Sequence, residues 1–392
     1  MLRGDGGGEN EANAVGSRPK AGGDTIKIGH LADVHLDSAF RWAGPEVGGR
    51  WRRAIRTTVT NAVDVALAEQ VDAFFLGGDI YEHDYVSPDT AQFLADTLAR
   101  LAPIPVLVAP GNHDYLCPSS LWVQASWSYN VHVFDFDRWQ PFELVDGLTV
   151  WGTAHGRPAG TGPMLDQLGI DRGGINIGLF HGALRSGVPT GATAPEPHLP
   201  FDHVDIQRAG LHHAFSGHYH NPRHDEWLTY PGNPHPLTFG ESPGRGLVIA
   251  RIHDDGRVEA DVRNVSPTTF HDVTVDLTEA HSSEVVRERV AAALTGLRGA
   301  ARVHLVGDLA TDLDLDAIGL TDQKGSLDAI VLRSSGLRPG YDLESIRNEA
   351  TVRGQFLRDL EARTDLPPER HAAILQTGLR ALDGRTDLAV QA

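Results

Sequence analysis

An α/β fold is predicted by three features of the chain. Apolar runs repeatedly end in carboxylate, amide or imidazole residues. Ile104 to Ala109 leads into Gly111-Asn112-His113-Asp114, and comparable runs deliver Asp33-Val34-His35, Gly78-Asp79, Phe180-His181 and Gly217-His218-Tyr219-His220. Between the first two such endings, Ile55, Val59, Ala62, Val63, Ala66 and Leu67 recur at helical period, so strand, helix and strand alternate. Beyond Val265 the pattern restarts, which predicts a second, smaller α+β domain.

The elements follow in order. Thr25 to Leu31 reads as the first strand and delivers Asp33 and His35, and Val71 to Leu76 reads as a second strand that ends at Gly77-Gly78-Asp79. Asp79 then sits at a carboxyl strand end, where open α/β sheets keep their sites. Ser87-Pro88-Asp89 starts a helix with Ser87 as N-cap, lined by Phe93, Leu94, Leu98 and Leu101. Short strands are expected at Val131 to Phe134, Leu148 to Trp151 and Ile175 to Phe180, with Asp146-Gly147 as a tight turn. Residues 189 to 200, rich in Pro, Ala and Thr, read as a loop over or beside the site. Trp227 to Tyr230, Leu247 to Ile252 and Arg257 to Val262 read as antiparallel strands, the last two joined through Asp255-Gly256. The later domain is expected to hold strands at His271 to Leu277, Arg302 to Val306 and Ala329 to Leu332. Its helices are expected at Ser283 to Leu297, Leu343 to Leu360 and Pro368 to Leu382.

At 392 residues the chain exceeds one ordinary core, and at about 150 residues per domain two are expected. The division is a disordered tail over residues 1–24, a ligand-bearing domain over 25–266 and a small α+β domain over 267–392 that ends in helices. The tail lacks an apolar signal core, so export is not expected. No apolar run approaches the ~20 residues needed to cross a bilayer, so no membrane partner is expected. The single cysteine, Cys117, excludes an internal disulfide and fits a reducing cytoplasm. A formal net charge of −18 argues against a nonspecific nucleic-acid coat, which is normally basic. Two bound divalent cations would return about four positive charges to one cleft, and the local potential matters most there.

Each polar ending is weak evidence alone: Gly-Asp is common turn chemistry, and Asp-x-His occurs by chance. Asn112-His113-Asp114 says more, because three polar residues directly after a buried strand cost desolvation unless a ligand satisfies them. Their conjunction, each after its own strand, points to a mixed oxygen and nitrogen site for a pair of divalent cations. His155, His212, His213 and His235 read instead as surface or internally satisfied imidazoles.

The ordered set of these motifs resembles the calcineurin-like metallophosphoesterase superfamily. The flanks His30-Leu31-Ala32-Asp33-Val34-His35-Leu36-Asp37-Ser38-Ala39-Phe40 and Tyr230-Pro231-Gly232-Asn233-Pro234 are similar to its SbcD/YhaO-like DNA repair exonuclease branch. The resemblance implies a four-layer α/β/β/α catalytic sandwich with a small cap. It implies one metal held by Asp33, His35 and His220, a second held by Asn112, His181 and His218, and Asp79 bridging the two. His113 is then free to act on the reacting phosphate, with Asp114 expected to orient it. Mn2+ suits this mixture of ligands, with Fe or Zn as alternatives. Glu82 stands where the family often has Asp in Gly-Asp-x-x-Asp, and neither it nor Asp114 fits the protein phosphatase signatures.

The implied activity is hydrolysis of DNA phosphodiester bonds by a repair exonuclease or endonuclease, with DNA and an SMC-like ATPase subunit as partners. A homodimer is also compatible with the sequence. Arg50, Arg52, Arg53, Arg56 and Arg223 are candidate DNA-backbone contacts and Trp42 a candidate stacking platform. Leu357, Leu360, Ile374, Leu375, Leu379 and Leu382 form apolar stripes that either dock the ATPase or pack on the cap. A phosphodiesterase for nucleotides or other small esters is the alternative, and it fits the acidic composition better. A scaffold without activity would have lost ligands, and all are present.

Overall fold

Ile26–Leu31 (β1) is buried along nearly its whole length, as a strand covered on both faces must be. The computed structural model describes residues 25–384 apart from 42, 137, 163, 172, 188–197, 242–243, 311, 312, 314 and 324. The expectations for the tail, for Trp42 and for most of the 189–200 loop lie outside the described residues. The rest falls into two compact units, divided at Pro267, with Thr238–Gly240 grouped with the later one.

In the first unit β1 is followed by Pro45–Glu69 (α1), Ala73–Leu76 (β2), Pro88–Ala99 (α2), Val106–Val108 (β3), Leu121–Gln124 (α3) and Val131–Val133 (β4). Gln140–Val145 (β5), Leu148–Gly152 (β6), Ile175–His181 (β7), His203–Arg208 (α4), His213–Gly217 (β8), Arg223–His224 (β9), Leu228–Tyr230 (β10), Leu247–Ile252 (β11) and Val258–Arg263 (β12) complete it. The strands form two six-stranded sheets, ordered β12-β11-β1-β2-β3-β4 and β5-β6-β7-β8-β10-β9. From β1 to β4 and from β6 to β8 neighbouring strands run parallel, so their carboxyl ends gather.

Strand alternation sends every second side chain to the same face. Ile28, Phe75 and Leu107 of the first sheet share one core with Val150, Ile177, Leu179 and Phe215 of the second, so the sheets pack face to face. The intervening Phe74 and Leu76 are buried on the opposite face, where α1 supplies Ile55, Val59 and Val63 and α2 supplies Leu94 and Leu98. On the far side of the second sheet, Phe180, Ala214 and Leu228 pack with Leu165, Phe201 and Ile206. Helix, sheet, sheet, helix is the layering that the resemblance implies.

The later unit is a parallel three-stranded sheet of Phe270–Asp276 (β13), Gly299–Ala310 (β14) and Leu327–Gly340 (β15), with β14 central. Ser283–Leu294 (α5), N-capped by Ser282, buries Val286, Val290 and Leu294 against Val303 and Leu305, and Leu315–Ile318 (α6) closes the same core. Leu343–Arg347 (α7), Val352–Glu361 (α8) and Pro368–Leu382 (α9) end the unit. The stripes of the sequence reading are largely consumed here. Leu357 and Leu379 are buried in a small core with Ile346, Leu360 is also buried, and Leu382 alone of the six is exposed.

Three expectations change, two of them only in part. Leu343 to Leu360 is two helices, because Thr351 caps a new start by accepting the Gly354 N–H. Trp227 to Tyr230 is antiparallel to β9, as expected, but its other edge pairs in parallel with β8, and its Leu228 serves the second sheet's outer core. Ser87 is the N-cap of α2 with Pro88 in the first turn, as expected, but its side chain makes no capping bond; the hydroxyl meets that of Thr90 at 3.3 Å. Among the described residues no helix is long and apolar enough to cross a membrane.

His30 and His213 are buried in the first unit, and burial lowers them to about 3 and about 4 respectively. An unfolded chain titrates them near 6.5, so it binds more protons below that pH and the stability present above pH 6.5 is lost as pH falls toward 4. For His213 the loss approaches about 3 kcal/mol at about 1.4 kcal/mol per pH unit. Urea unfolding with chelator at pH 7.5 and pH 4.5 checks this. A constant midpoint would contradict it.

Candidate metal centre

The parallel strands bring five polar endings to one place. Asp33 and His35 follow β1, Asp79 follows β2, Asn112 follows β3, His181 ends β7, and His218 and His220 follow β8. Four of these residues have left-handed backbones, with φ of 52° at Asp33, 52° at His35, 54° at Asp79 and 117° at His218. Such conformations cost on the order of 1–3 kcal/mol each outside glycine and persist where the surroundings enforce them. The enforcement is visible: the Asp33 N–H donates to Gly78 O and the His35 N–H to Asp79 O, both at 3.0 Å. The β1 and β2 loops therefore hold each other. A Cβ at Gly111 would stand 2.3 Å from Asp79 Oδ1, so this position admits only glycine beside the carboxylate.

The ligand atoms of Asp33, His35 and His220 lie within 4.8 Å of one another, as do those of Asp33, Asp79 and His181. Asp33 is thus common to both groups by proximity, and Asp79 Oδ2 is 3.2 Å from His181 Nε2 and 4.0 Å from His35 Nε2. His35 Nε2 faces His220 Nε2 at 3.2 Å. Asn112 Oδ1 is buried with no hydrogen-bond partner. His218 is close but outside these groups, its ring 5.3 Å from that of His181. Its N–H donates to both Asp33 carboxylate oxygens, at 2.9 and 3.1 Å.

This arrangement fits cations. His181 Nδ1 faces Gly77 O at 2.9 Å, so in a neutral ring Nδ1 carries the hydrogen and Nε2 presents a lone pair to Asp79 Oδ2. Two lone pairs at that distance repel unless a proton or metal intervenes. The titration behaviour says the same. Burial would lower His181, yet Asp79 and Asp33 push it up to about 9. Burial would raise Asp79, but His181, His35 and His113 hold it well below the usual carboxylate range. Burial leaves Asp33 raised. His218 is kept neutral, lowered to about 3 by burial and then by His181. The orphaned Asn112 oxygen and facing imidazole nitrogens are donors awaiting a common acceptor.

His113 stands beside the cluster, and about 44% of its side chain is exposed. Its Nδ1 is 2.9 Å from Glu82 Oε2, while Glu82 Oε1 is 2.7 Å from His35 Nδ1. The hydrogen bond to Glu82 dominates over burial and raises His113 to about 9; the same two imidazoles, working against burial, lower Glu82 to about 2. This corrects the role expected of Asp114. That carboxylate is fully buried and curls back to accept the N–H groups of Gly111, Asp79 and Ile80 at 2.6, 2.9 and 3.0 Å, and the Trp122 indole N–H at 3.0 Å. It shapes the loops and does not reach His113. Glu82 orients His113, and its carboxylate spans both rings, one oxygen on His113 and the other on His35.

Other side chains resolve as expected or find partners. His155 faces Thr161 Oγ1 and His181 O, and His213 faces Glu226 O and Thr229 Oγ1. His235 meets Ser266, and His212 Nδ1 accepts the Asn176 N–H. Arg56 pairs with Asp89, Arg50 with Glu46 and Arg223 with Asp225, which occupies three of the five candidate DNA contacts. Glu241, 3.5 Å from His220 Nδ1, was not anticipated; a carboxylate 21 residues along, in a segment without strand periodicity, gives no signal by itself.

Buried carboxylates and imidazoles at the carboxyl ends of a double sheet define candidate metal-ligand clusters. The calcineurin-like phosphoesterase family matches residues 26–222, and the chain belongs to that family. It is therefore a hydrolase of phosphoesters with candidate metal-ligand clusters. It is 26% identical over 291 residues to the uncharacterized metallophosphoesterase YhaO of Bacillus subtilis (strain 168), covering 69% of this chain and 67% of that one. It is 23% identical over 266 residues to the DNA double-strand break repair protein Mre11 of Methanopyrus kandleri, covering 60% of this chain and 56% of the relative. A dimetal phosphatase from Danio rerio matches with a TM-score of 0.38 at 14% identity, over 60% of this chain and 98% of that one.

Exhaustive chelation should lower the melting temperature. A ligand that binds only the folded state at 100 times its dissociation constant contributes about 2.7 kcal/mol. Differential scanning calorimetry with Mn2+ and with chelator tests this; coincident transitions would argue against a bound cation.

Proposed function

We propose that this chain is a two-metal phosphodiesterase acting on DNA, of repair exonuclease or endonuclease type, working with an SMC-like ATPase subunit. The observation that carries the catalytic reading is the half-exposed His113, held by Glu82 at the edge of the buried cluster. Asp33, His35 and His220 would hold one cation and Asn112, His181 and His218 the other, with Asp79 between them, as the family pattern implies. Mn2+ suits this donor mixture. When bound, the cations polarise the phosphoryl group and neutralise its charge.

The chain's own groups supply orientation and the proton. Glu82 takes the hydrogen of His113 Nδ1, which leaves Nε2 to face a phosphate at the open side of the cluster. Water adds to phosphorus and gives up a proton to solvent as the ester P–O bond breaks; a proton on Nε2 passes to the departing ester oxygen, and Glu82 stabilises the ring throughout. DNA as substrate is supported by the Mre11 relative and by the flanking motifs around Asp33 and Tyr230.

A second reading, hydrolysis of nucleotides or other small phosphodiesters, is favoured by the formal net charge of −18. Mn2+-dependent turnover of linear single- and double-stranded DNA, compared with bis-p-nitrophenyl phosphate and cyclic nucleotides, separates the two. Degradation of end-labelled DNA is expected. Intact DNA alongside a consumed cyclic nucleotide would reject the DNA reading.

A further inference from the structure

The stretch Tyr230-Pro231-Gly232-Asn233-Pro234 stood out in the sequence without a role, and the structure gives it a target. Gly232 has φ of 69°, and a Cβ there would stand 2.5 Å from the His220 carbonyl oxygen. That oxygen accepts the Asn233 N–H at 3.2 Å and the Arg245 guanidinium at 3.3 Å. The same segment reaches the His220 ring. Glu241 Oε1 lies 3.5 Å from Nδ1, while Oε2 accepts the Asn233 amide and the Leu237 N–H, each at 2.8 Å. Arg245 stands 3.6 Å from Glu241 Oε2 and also bonds Asn233. Glu241 is 11% exposed and Arg245 7%, so this is a nearly buried ion pair, whose desolvation the surrounding hydrogen bonds must offset.

We propose that Glu241 is the positioning residue of His220, with Asn233 and Arg245 holding its carboxylate in place. A metal-ligating imidazole keeps its direction when its second nitrogen donates to a fixed acceptor. With Nδ1–H turned to Glu241, the His220 Nε2 lone pair points into the pocket shared with Asp33 and His35. Glu82 stands behind His35 in the same sense but closer, at 2.7 Å against 3.5 Å, so each imidazole of that group has a carboxylate on its Nδ1 side. The inference rests on His220 being a ligand, as read above.

The test counts bound Mn2+ on the full chain after dialysis at graded Mn2+ concentrations, and melts the chelated protein separately. Glu241→Gln should weaken one of two ions by about 10- to 100-fold and leave the other unchanged. His220→Ala should weaken the same ion. In the His220→Ala background Glu241→Gln should cause no further loss of metal, whereas any effect on the melt of the chelated protein should add. Parental binding by Glu241→Gln, or a loss as large without His220, overturns the inference. Parental binding by His220→Ala overturns the metal reading of His220 instead. Should Glu241→Gln not fold, Glu241→Asp keeps the charge opposite Arg245 while withdrawing it from Nδ1, and makes the same comparison.

Discussion

His113→Gln should lose turnover by about 10²- to 10⁴-fold while retaining its bound metal, the range expected when a positioned proton donor is removed. The reason lies in where the side chain sits. His113 contributes its backbone N–H to Asp79 Oδ1 at 2.8 Å, and that bond survives substitution. Among the described residues its ring gathers with His35 and Glu82 and not with Asp33, Asp79, His181 or His220, and its Nδ1 faces Glu82. Glu82 remains engaged with His35 when the ring is gone. Metal analysis and kcat on an unactivated phosphodiester such as a dinucleotide, whose alkoxide leaving group needs a proton, should therefore separate. A variant that keeps parental kcat would remove His113 from the chemistry, and one that loses both ions would make it a ligand.

Asp79→Ala should lose metal and turnover together. Its carboxylate feels His181, His35 and His113 together, and it is held by a backbone at φ 54° whose N–H is taken by Asp114. Alanine leaves His181 Nε2 buried without its counter-charge and removes the oxygen that stands 3.2 Å from His181 and 4.0 Å from His35. Asp79→Asn keeps the volume and the acceptor for the His113 N–H, so it isolates the charge. Both variants are expected to bind less than half the parental metal at equal Mn2+, measured by elemental analysis, with the chelated proteins still folded. Full metal content in Asp79→Asn would show that this carboxylate does not join the two ions.

The strands and most candidate ligands were legible because each signal is local. An apolar run that ends in Asp, Asn or His announces itself whatever surrounds it, and the helical recurrence from Ile55 to Leu67 needs no partner to be seen. Asp114 misled for the same reason. Adjacent to His113 in sequence, its carboxylate turns the other way to accept three backbone N–H groups. Glu82, 31 residues away, takes the place intended for it. The single helix expected over Leu343 to Leu360 failed on a cap, since a Thr351 hydroxyl can start a helix as readily as sit inside one.

Sequence alone determined which side chains end the strands and hence which chemistry is available: carboxylate, amide and imidazole at carboxyl strand ends in an α/β frame. Tertiary structure decided how they are aimed. The left-handed turns at Asp33, His35, Asp79 and His218, the Glu82 bridge and the Glu241 contact all depend on loops from different strands holding one another. Such conformations are unfavourable for an isolated segment, so nothing in local propensity records them; they exist only where contacts from distant parts of the chain outweigh their cost.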